Sequence, residues 1–349
     1  LSHVIDTARS LDPAAIHVVY GHGGERVREA LAKEKEEKEK VEWTLQAQQL
    51  GTGHAVQQAI PKVPDGHRVL ILYGDVPLLG RAALERLVAA AGREEVALLT
   101  MTPADPAGYG RIVRGPEGKV QRIVEQKDAS AQERAVRECN TGVMAGPARL
   151  LKQWLGNLRA ANSQGEYYLT DVVEMAVKAG VPVNPVGCED PIEALGVNDK
   201  VQLATLEAVC RERAARELML AGVTVADPAR IDVRGHVQHG KDVFIDVNVV
   251  MEGTVKLGDR VRIGPGCVIR DTEIGDDTQV FPHCVIEGAV IGRGCNIGPF
   301  SRFRPTSRLS GGVHIGNFVE VKNSTLADES KANHLSYVGD AQVGARVNI

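Results

Sequence analysis

From Ile245 onward, aliphatic or aromatic residues recur at every sixth position, and no other feature of the chain constrains its fold as tightly. The series runs Ile245, Met251, Leu257, Ile263, Ile269, then steps five to Ile274. It resumes with Val280 and Ile286, steps five to Ile291, and continues through Ile297, Phe303, Leu309, Ile315 and Val321. Another five gives Leu326, followed by Ala332, Val338, a five-residue step to Val343, and Ile349. Grouped in threes, every short step falls between the second and third member. A three-sided coil places those steps at one corner, where a residue can be dropped without moving an inward side chain. A half-buried strand would instead alternate with period two. The reading is a parallel β-helix shaped as a triangular prism. Gly follows many of the inward residues, as in Leu257-Gly258, Ile274-Gly275 and Ile291-Gly292, which suggests corners that need unusual backbone angles. Solenoids need capped ends. The chain stops on Ile349 in mid-coil and opens without Met on a helical face of Leu1, Val4, Ile5, Ala8 and Leu11, so we expect sequence missing at both ends.

The first half has a different grain. Between Ile16 and about Asn198, strand-like runs (IHVVYG, RVLILYGD, EVALLTM, VQRIVE) alternate with helix-like segments such as Arg81 to Ala91 and Thr170 to Ala179. That alternation predicts a Rossmann-like, mostly parallel sheet with helices on both faces. Ligands of such sheets gather outside the carboxyl ends of the strands. Asp75 of LYGDVPLL ends one of these runs and fits a cleft rim; taken alone, the stretch fits a solvated strand-end turn with Pro77 better. A helix from about Lys200 to Ala221 joins the halves. The domains are then 1–199, a linker helix at 200–224, and the β-helix at 225–349.

Composition narrows the partners. With 43% hydrophobic residues the chain can fill two cores, and a net charge of -4 offers no footprint for nucleic acid. No run approaches the roughly eighteen apolar residues of a membrane span. A small-molecule substrate remains. The six cysteines (Cys139, Cys188, Cys210, Cys267, Cys284, Cys295) form no C-x-x-C pair, which argues against zinc and disulfides and for a reducing, cytoplasmic setting.

The motifs LQAQQLGTGHA, LYGDVPLL, DPAGYGRI, IVEQKDA, CNTGV, GEYYLTD and GVNDK occur in that order. After the linker helix come RFRP, NFVEVK and KANHLSYVGDAQVGARVNI. Across essentially the whole chain this combination closely resembles the bifunctional bacterial N-acetylglucosamine-1-phosphate uridylyltransferases and glucosamine-1-phosphate acetyltransferases. The resemblance implies an α/β nucleotidyltransferase followed by a left-handed parallel β-helix of hexapeptide repeats, assembled as a homotrimer through the β-helix. It implies acetyl transfer from acetyl-CoA to glucosamine 1-phosphate, then Mg2+-dependent uridylyl transfer from UTP with release of pyrophosphate. The product, UDP-N-acetylglucosamine, serves cell-wall synthesis.

Residue by residue, the resemblance implies that Gln46, Gly51 and Thr52 contact the uridine nucleotide and that Tyr73, Gly74 and Asp75 line the same cleft. Asp75 and Asn198 would hold Mg2+, while Gly110, Glu125 and Asn140 would hold the sugar nucleotide. Phosphoryl transfer between anions relies on a cation and oriented donors, and Mg2+ needs only one or two protein oxygens. In the β-helix His334 matches the general base, and imidazole titrates where such a step requires. Arg304 and Lys322 match sugar-phosphate contacts; Tyr337 and Asn348 match further contacts at the acetyl-acceptor site. The family's opening glycine-rich loop is absent before Leu1 and its last coils are absent after Ile349. The polypeptide as given is therefore expected to be inactive in uridylyl transfer and impaired in acetyl transfer.

Other signals carry less. YGHGGE (Tyr20 to Glu25) lacks dinucleotide spacing. The run Lys33 to Lys40 balances its charges and reads as a solvated helix end or loop. His236 and His239 read as surface residues. GEYYLTD receives no chemical step, and Tyr167 and Tyr168 fit either a core or a sugar-facing role. Two other readings stay open: a nucleotide-sugar pyrophosphorylase whose β-helix only assembles it, and a non-catalytic trimeric scaffold.

Overall fold

The computed structural model describes residues 1–34 and 41–349, which divide into two compact units, Leu1–Leu206 and Glu207–Ile349. Residues 35–40 of the balanced charge run lie outside the described residues.

In the first unit, strands β1 (Ile16–Tyr20) and β2 (Val41–Leu45) form a parallel pair. The larger sheet contains β3 (Arg68–Ile71), β4 (Val96–Met101), β5 (Arg111–Arg114), β6 (Val120–Val124), β7 (Cys139–Pro147) and β8 (Val183–Gly187). Its order is β6-β5-β7-β4-β8, with β3 also on β7. The sheet is mixed. β4 and β8 are parallel, but β7 runs antiparallel to β3, β4 and β5. The chain reaches β7 through the β5–β6 hairpin rather than through a helical crossover, so nothing forces β7 to run parallel.

β4 is buried along its whole length, and its alternation sorts two cores. Val96 and Leu98 pack with Leu151, Leu155, Val172 and Val173 of helices α6 (Ala148–Leu155) and α7 (Asp171–Lys178). Ala97 and Leu99 face Leu84 and Leu87 of α4 (Arg81–Ala90) on the other side. Period-two geometry thus produces the predicted helix–sheet–helix layering. β3 ends at Ile71, short of the run RVLILYGD, so Asp75 sits in a turn beyond the strand and is solvent-exposed.

Helix α8 (Lys200–Leu220) crosses the boundary between the units, and its Ala215 and Leu218 pack into the core of the second. That second unit is a parallel β-helix. Ile269, Ile286, Phe303, Val321 and Val338 stack in register, one from each successive coil. Every member of the inward series from Ile245 to Val338 is buried. Val343 is half-buried and Ile349 exposed.

The glycines play another part than expected. Of those that follow inward residues, only Gly298 (φ 97°) is left-handed. At Gly275 a Cβ would stand 2.8 Å from Arg293 N, and at Gly292 2.6 Å from Ser310 C, so glycine there lets the next coil's backbone approach. The left-handed corners come two or three residues after the inward side chain, at positions such as Arg260 (φ 57°), Asp277 (φ 59°) and Asn323 (φ 43°). Asn and Asp tolerate that region best after glycine.

Candidate active sites

Gln46 follows β2, buried, its backbone N–H donating to Tyr20 O at 2.8 Å. Its side-chain Nε2 donates to Gly51 O at 3.1 Å and meets His54 Nδ1 at 3.0 Å. Gly51 caps helix α3 (Thr52–Ala59) at φ 110°, and a Cβ there would lie 2.7 Å from Tyr167 O. No other residue meets both demands. Thr52 Oγ1 accepts the Leu169 N–H at 3.1 Å. Burial pushes the Tyr73 hydroxyl up to about 12.

The segment GEYYLTD, which sequence alone left without a role, ties this loop in place. Tyr167 N–H donates to Leu50 O and Gly53 N–H donates to Tyr167 O, both at 2.8 Å. Thr170 Oγ1 donates to Glu125 Oε1 at 3.0 Å. Tyr167 packs on the core, whereas Tyr168 faces the cleft. These links span up to 117 residues, so no local signal could have revealed them.

Glu125, Gly108, Gln126, Lys127, Gln164, Glu166 and Tyr168 line a cleft of about 200 Å³. That is smaller than a typical pocket for a drug-sized ligand and suits a single polar ring. Gly110 sits beside Glu125, and the tightest neighbour a Cβ there would meet is Ile123 Cγ2 at 3.0 Å. Asn140 donates its backbone N–H to Gly110 O at 2.8 Å, while its buried Oδ1 has no partner. Buried polar atoms are normally satisfied, so this acceptor awaits a donor. Sequence reasoning also passed over Arg111, which is 2% exposed and donates through Nη1 to Tyr109 O.

Burial lifts the Glu125 carboxyl above its ordinary range, opposed by the hydrogen bond from Thr170. The folded state then binds more protons than the unfolded chain as pH rises from the ordinary carboxylate range to the raised value, so stability falls across that window. Glu125→Gln removes this loss. Its thermal midpoint is expected to exceed that of the parent at mildly alkaline pH and to converge with it in acid; equal midpoints throughout would refute the assignment.

Asp75 has no ion-pair partner among the described residues. Its carbonyl accepts the Val197 N–H at 2.9 Å, and a Cβ on Gly196 would stand 3.4 Å from Asp75 Oδ2. Asn198, also exposed, therefore lies one residue from a backbone contact with Asp75. Its own N–H donates to Gln202 Oε1 at 2.7 Å, leaving the side-chain amide free to turn outward. Gly74 is exposed in the same turn, its Cα facing Leu1.

On the β-helix one outward column carries Arg234, Glu252, Arg270 and Glu287 on successive coils. Charges alternate, with Arg234 Nη1 to Glu252 Oε1 at 3.0 Å and Arg270 Nη1 to Glu287 Oε1 at 3.1 Å. Extending the register by one residue brings Arg304 and then Lys322, and there the alternation breaks into two stacked cations. Arg304 Nε lies 2.5 Å from Glu320 Oε1, and Lys322 Nζ 3.6 Å from Asp340 Oδ2. The long, exposed Lys322–Asp340 pair holds its cation weakly, whereas Arg304 Nε and Glu320 Oε1 meet shielded from solvent. The spacing of 17 or 18 residues is present in the sequence, and the stacked register of the coils turns it into a column whose alternation breaks at Arg304 and Lys322.

His334 ends strand Lys331–His334, and Tyr337 opens strand Tyr337–Gly339 just past the Leu335 corner (φ 48°); both side chains are exposed. Tyr337 lies in register with Glu320, on the coil that carries Lys322. Asn348 is drawn elsewhere, its Oδ1 accepting from Asn333 Nδ2 at 2.8 Å. His236 is exposed, and His239 Nδ1 meets Gly240 O at 3.0 Å.

A nucleotidyltransferase sheet with a polar cleft, followed by a hexapeptide coil with a cationic step, defines a two-part transferase. The MobA-like NTP transferase domain model matches residues 1–174, and the bacterial transferase hexapeptide (six repeats) model matches residues 236–271 and 271–305. The bifunctional protein GlmU of Azoarcus sp. (strain BH72) is 56% identical over 349 residues, 100% of this chain and 76% of the relative. Its counterparts in Aromatoleum aromaticum and Stutzerimonas stutzeri (strain A1501) are 55% and 54% identical, each over 100% of this chain and 76% of the relative. The chain belongs to the bifunctional GlmU family, an enzyme with nucleotidyltransferase and acetyltransferase activities.

Proposed function

We propose that the first unit joins UTP to N-acetylglucosamine 1-phosphate and the second acetylates glucosamine 1-phosphate from acetyl-CoA, each at the residues described above. The observation that carries this division is chemical: a carboxylate without a cationic partner lies in the first unit, and two stacked cations lie in the second. A bare exposed carboxylate suits a cation. A cation pair suits a phosphate.

In the first unit Gln46, Gly51, Thr52 and Tyr73 form the nucleotide-facing wall, and Gly110, Glu125 and Asn140 receive the sugar, the Asn140 Oδ1 accepting from it. Asp75 and Asn198 would hold Mg2+, which supplies charge neutralisation at the phosphates when bound. A ligand set of one carboxylate and one amide oxygen fits that ion, which keeps waters and substrate oxygens. In the second unit Arg304 and Lys322 exchange Glu320 and Asp340 for the sugar phosphate. His334 takes the proton as the acceptor amine attacks the thioester carbonyl and coenzyme A leaves as its thiol, and Tyr337, three residues after the base, stands in register with Glu320 on the coil that carries Lys322. We assign the chain to the cytoplasm, in keeping with its free cysteines and with the lack, among the described residues, of a helix long and apolar enough to cross a membrane.

Assembly as a homotrimer is supported by an apolar column at one corner of the coil. Phe300 stacks on His283 at 5.1 Å and on Phe318 at 5.4 Å between ring centroids, and Leu335 is 77% exposed on the following coil.

The test is calorimetric. Arg304→Ala and Lys322→Ala are each expected to weaken glucosamine 1-phosphate binding by about 10-fold or more, the scale of a charged hydrogen bond. His334→Ala should retain that affinity while losing acetyl transfer by about 10²-fold or more. Unchanged affinity in both cation variants would remove the phosphate site from this column.

A further inference from the structure

We propose that Gly339 is a positioning residue for the acetyl-acceptor site: by carrying no side chain it holds the Tyr337 hydroxyl at the end of the Arg304–Lys322 column, as a third donor to the bound phosphate. This rests on the reading of that column as a phosphate site.

Gly339 lies in register with Lys322, so it occupies the next step of the column after the two cations. Tyr337 and Gly339 both face outward, on either side of the buried Val338. With no side chain at 339, the Tyr337 ring folds along the strand into the vacant step. A Cβ built on Gly339 would stand 2.5 Å from Tyr337 Cε1 and Cζ and closer still to the hydroxyl oxygen. No real Cβ tolerates such contact, so any larger residue must push the phenol out of the column. Backbone conformation does not require glycine here, because Gly339 is absent from the left-handed residues and sits within a strand. The requirement for glycine is therefore set by the tyrosine ring. The hydroxyl is a neutral donor placed beside two cations, and in that position it can bond an anion without adding repulsion between like charges.

The experiment measures glucosamine 1-phosphate binding by calorimetry, with inorganic phosphate as a second probe, in the full chain. Gly339→Ala is expected to weaken both by about tenfold, as is Tyr337→Phe, and the double variant should bind no more weakly than Tyr337→Phe alone. A Gly339→Ala protein with parental affinity, or a double variant whose losses add, would overturn the proposal. So would parental affinity in Tyr337→Phe. The thermal midpoint of Gly339→Ala should stay at the parental value, since the backbone accepts alanine; a lowered midpoint with losses that add would point to a structural role instead. Arg304→Ala separates the two levels. If it binds normally, the phosphate reading of the column fails, whereas weakened Arg304→Ala alongside unchanged Gly339→Ala defeats the positioning role alone.

Discussion

Asp75→Asn is expected to lower Mg2+-dependent binding of UDP-N-acetylglucosamine by about 10²-fold or more, the equivalent of the several kcal/mol a metal contributes at a phosphoryl centre. The reason lies in what Asp75 lacks. Its carboxylate is exposed, has no ion-pair partner among the described residues, and stands against the bare Gly196 of the segment that leads to Asn198. Asparagine preserves the shape and the backbone bond from Val197 but removes the charge, so the fold should survive while the cation loses its one anionic protein ligand. Calorimetry with and without Mg2+, or the resonance signal of Mn2+ as a substitute ion, reads the loss directly. Glucosamine 1-phosphate binding should be unchanged, because its site is assigned to the other unit. Full Mg2+ dependence in the variant would move the metal elsewhere.

Phe303→Ala is expected to destabilise the β-helix by about 3–5 kcal/mol, the cost of emptying a fully buried aromatic site. Phe303 is 0% exposed and stands in register between Ile286 and Val321, the only aromatic member of the inward series. Stacked coils cannot slide together to fill the gap, since backbone hydrogen bonds such as Val285 N–H to Ser301 O, at 2.9 Å, fix their spacing. A thermal midpoint lower by on the order of 10 °C is the corresponding signal. Phe303→Leu, which keeps most of the volume, should cost less. A shift under about 1 kcal/mol for Phe303→Ala would mean that the site collapses, contrary to close packing in cores.

The two units differ in how far their sequence could be read. The β-helix was legible because every coil obeys one local rule: an inward side chain at each sixth position, with a residue omitted at one corner. The expected cause of the glycine pattern was mistaken for a similarly physical reason. Sequence shows where glycine occurs but not whether its backbone angle or its missing Cβ matters, and at Gly275 and Gly292 it is the approach of the next coil that excludes a side chain. In the first unit the alternating elements were visible, but the reversed direction of β7 was not, since a strand's own pattern of side chains is the same in either direction.

Sequence by itself therefore determined the prism, the layered α/β unit before it, and the motifs that mark the family, because each is written in short-range periodicity or contiguous residues. Tertiary structure decided which of those residues meet. Thr170 reaches Glu125, Tyr167 secures Gly51, Gly196 opens onto Asp75, and the Tyr337 ring takes the step left vacant at Gly339. Such contacts depend on side-chain space and on chain segments brought together only when the cores close, and those are quantities that no stretch of sequence specifies alone.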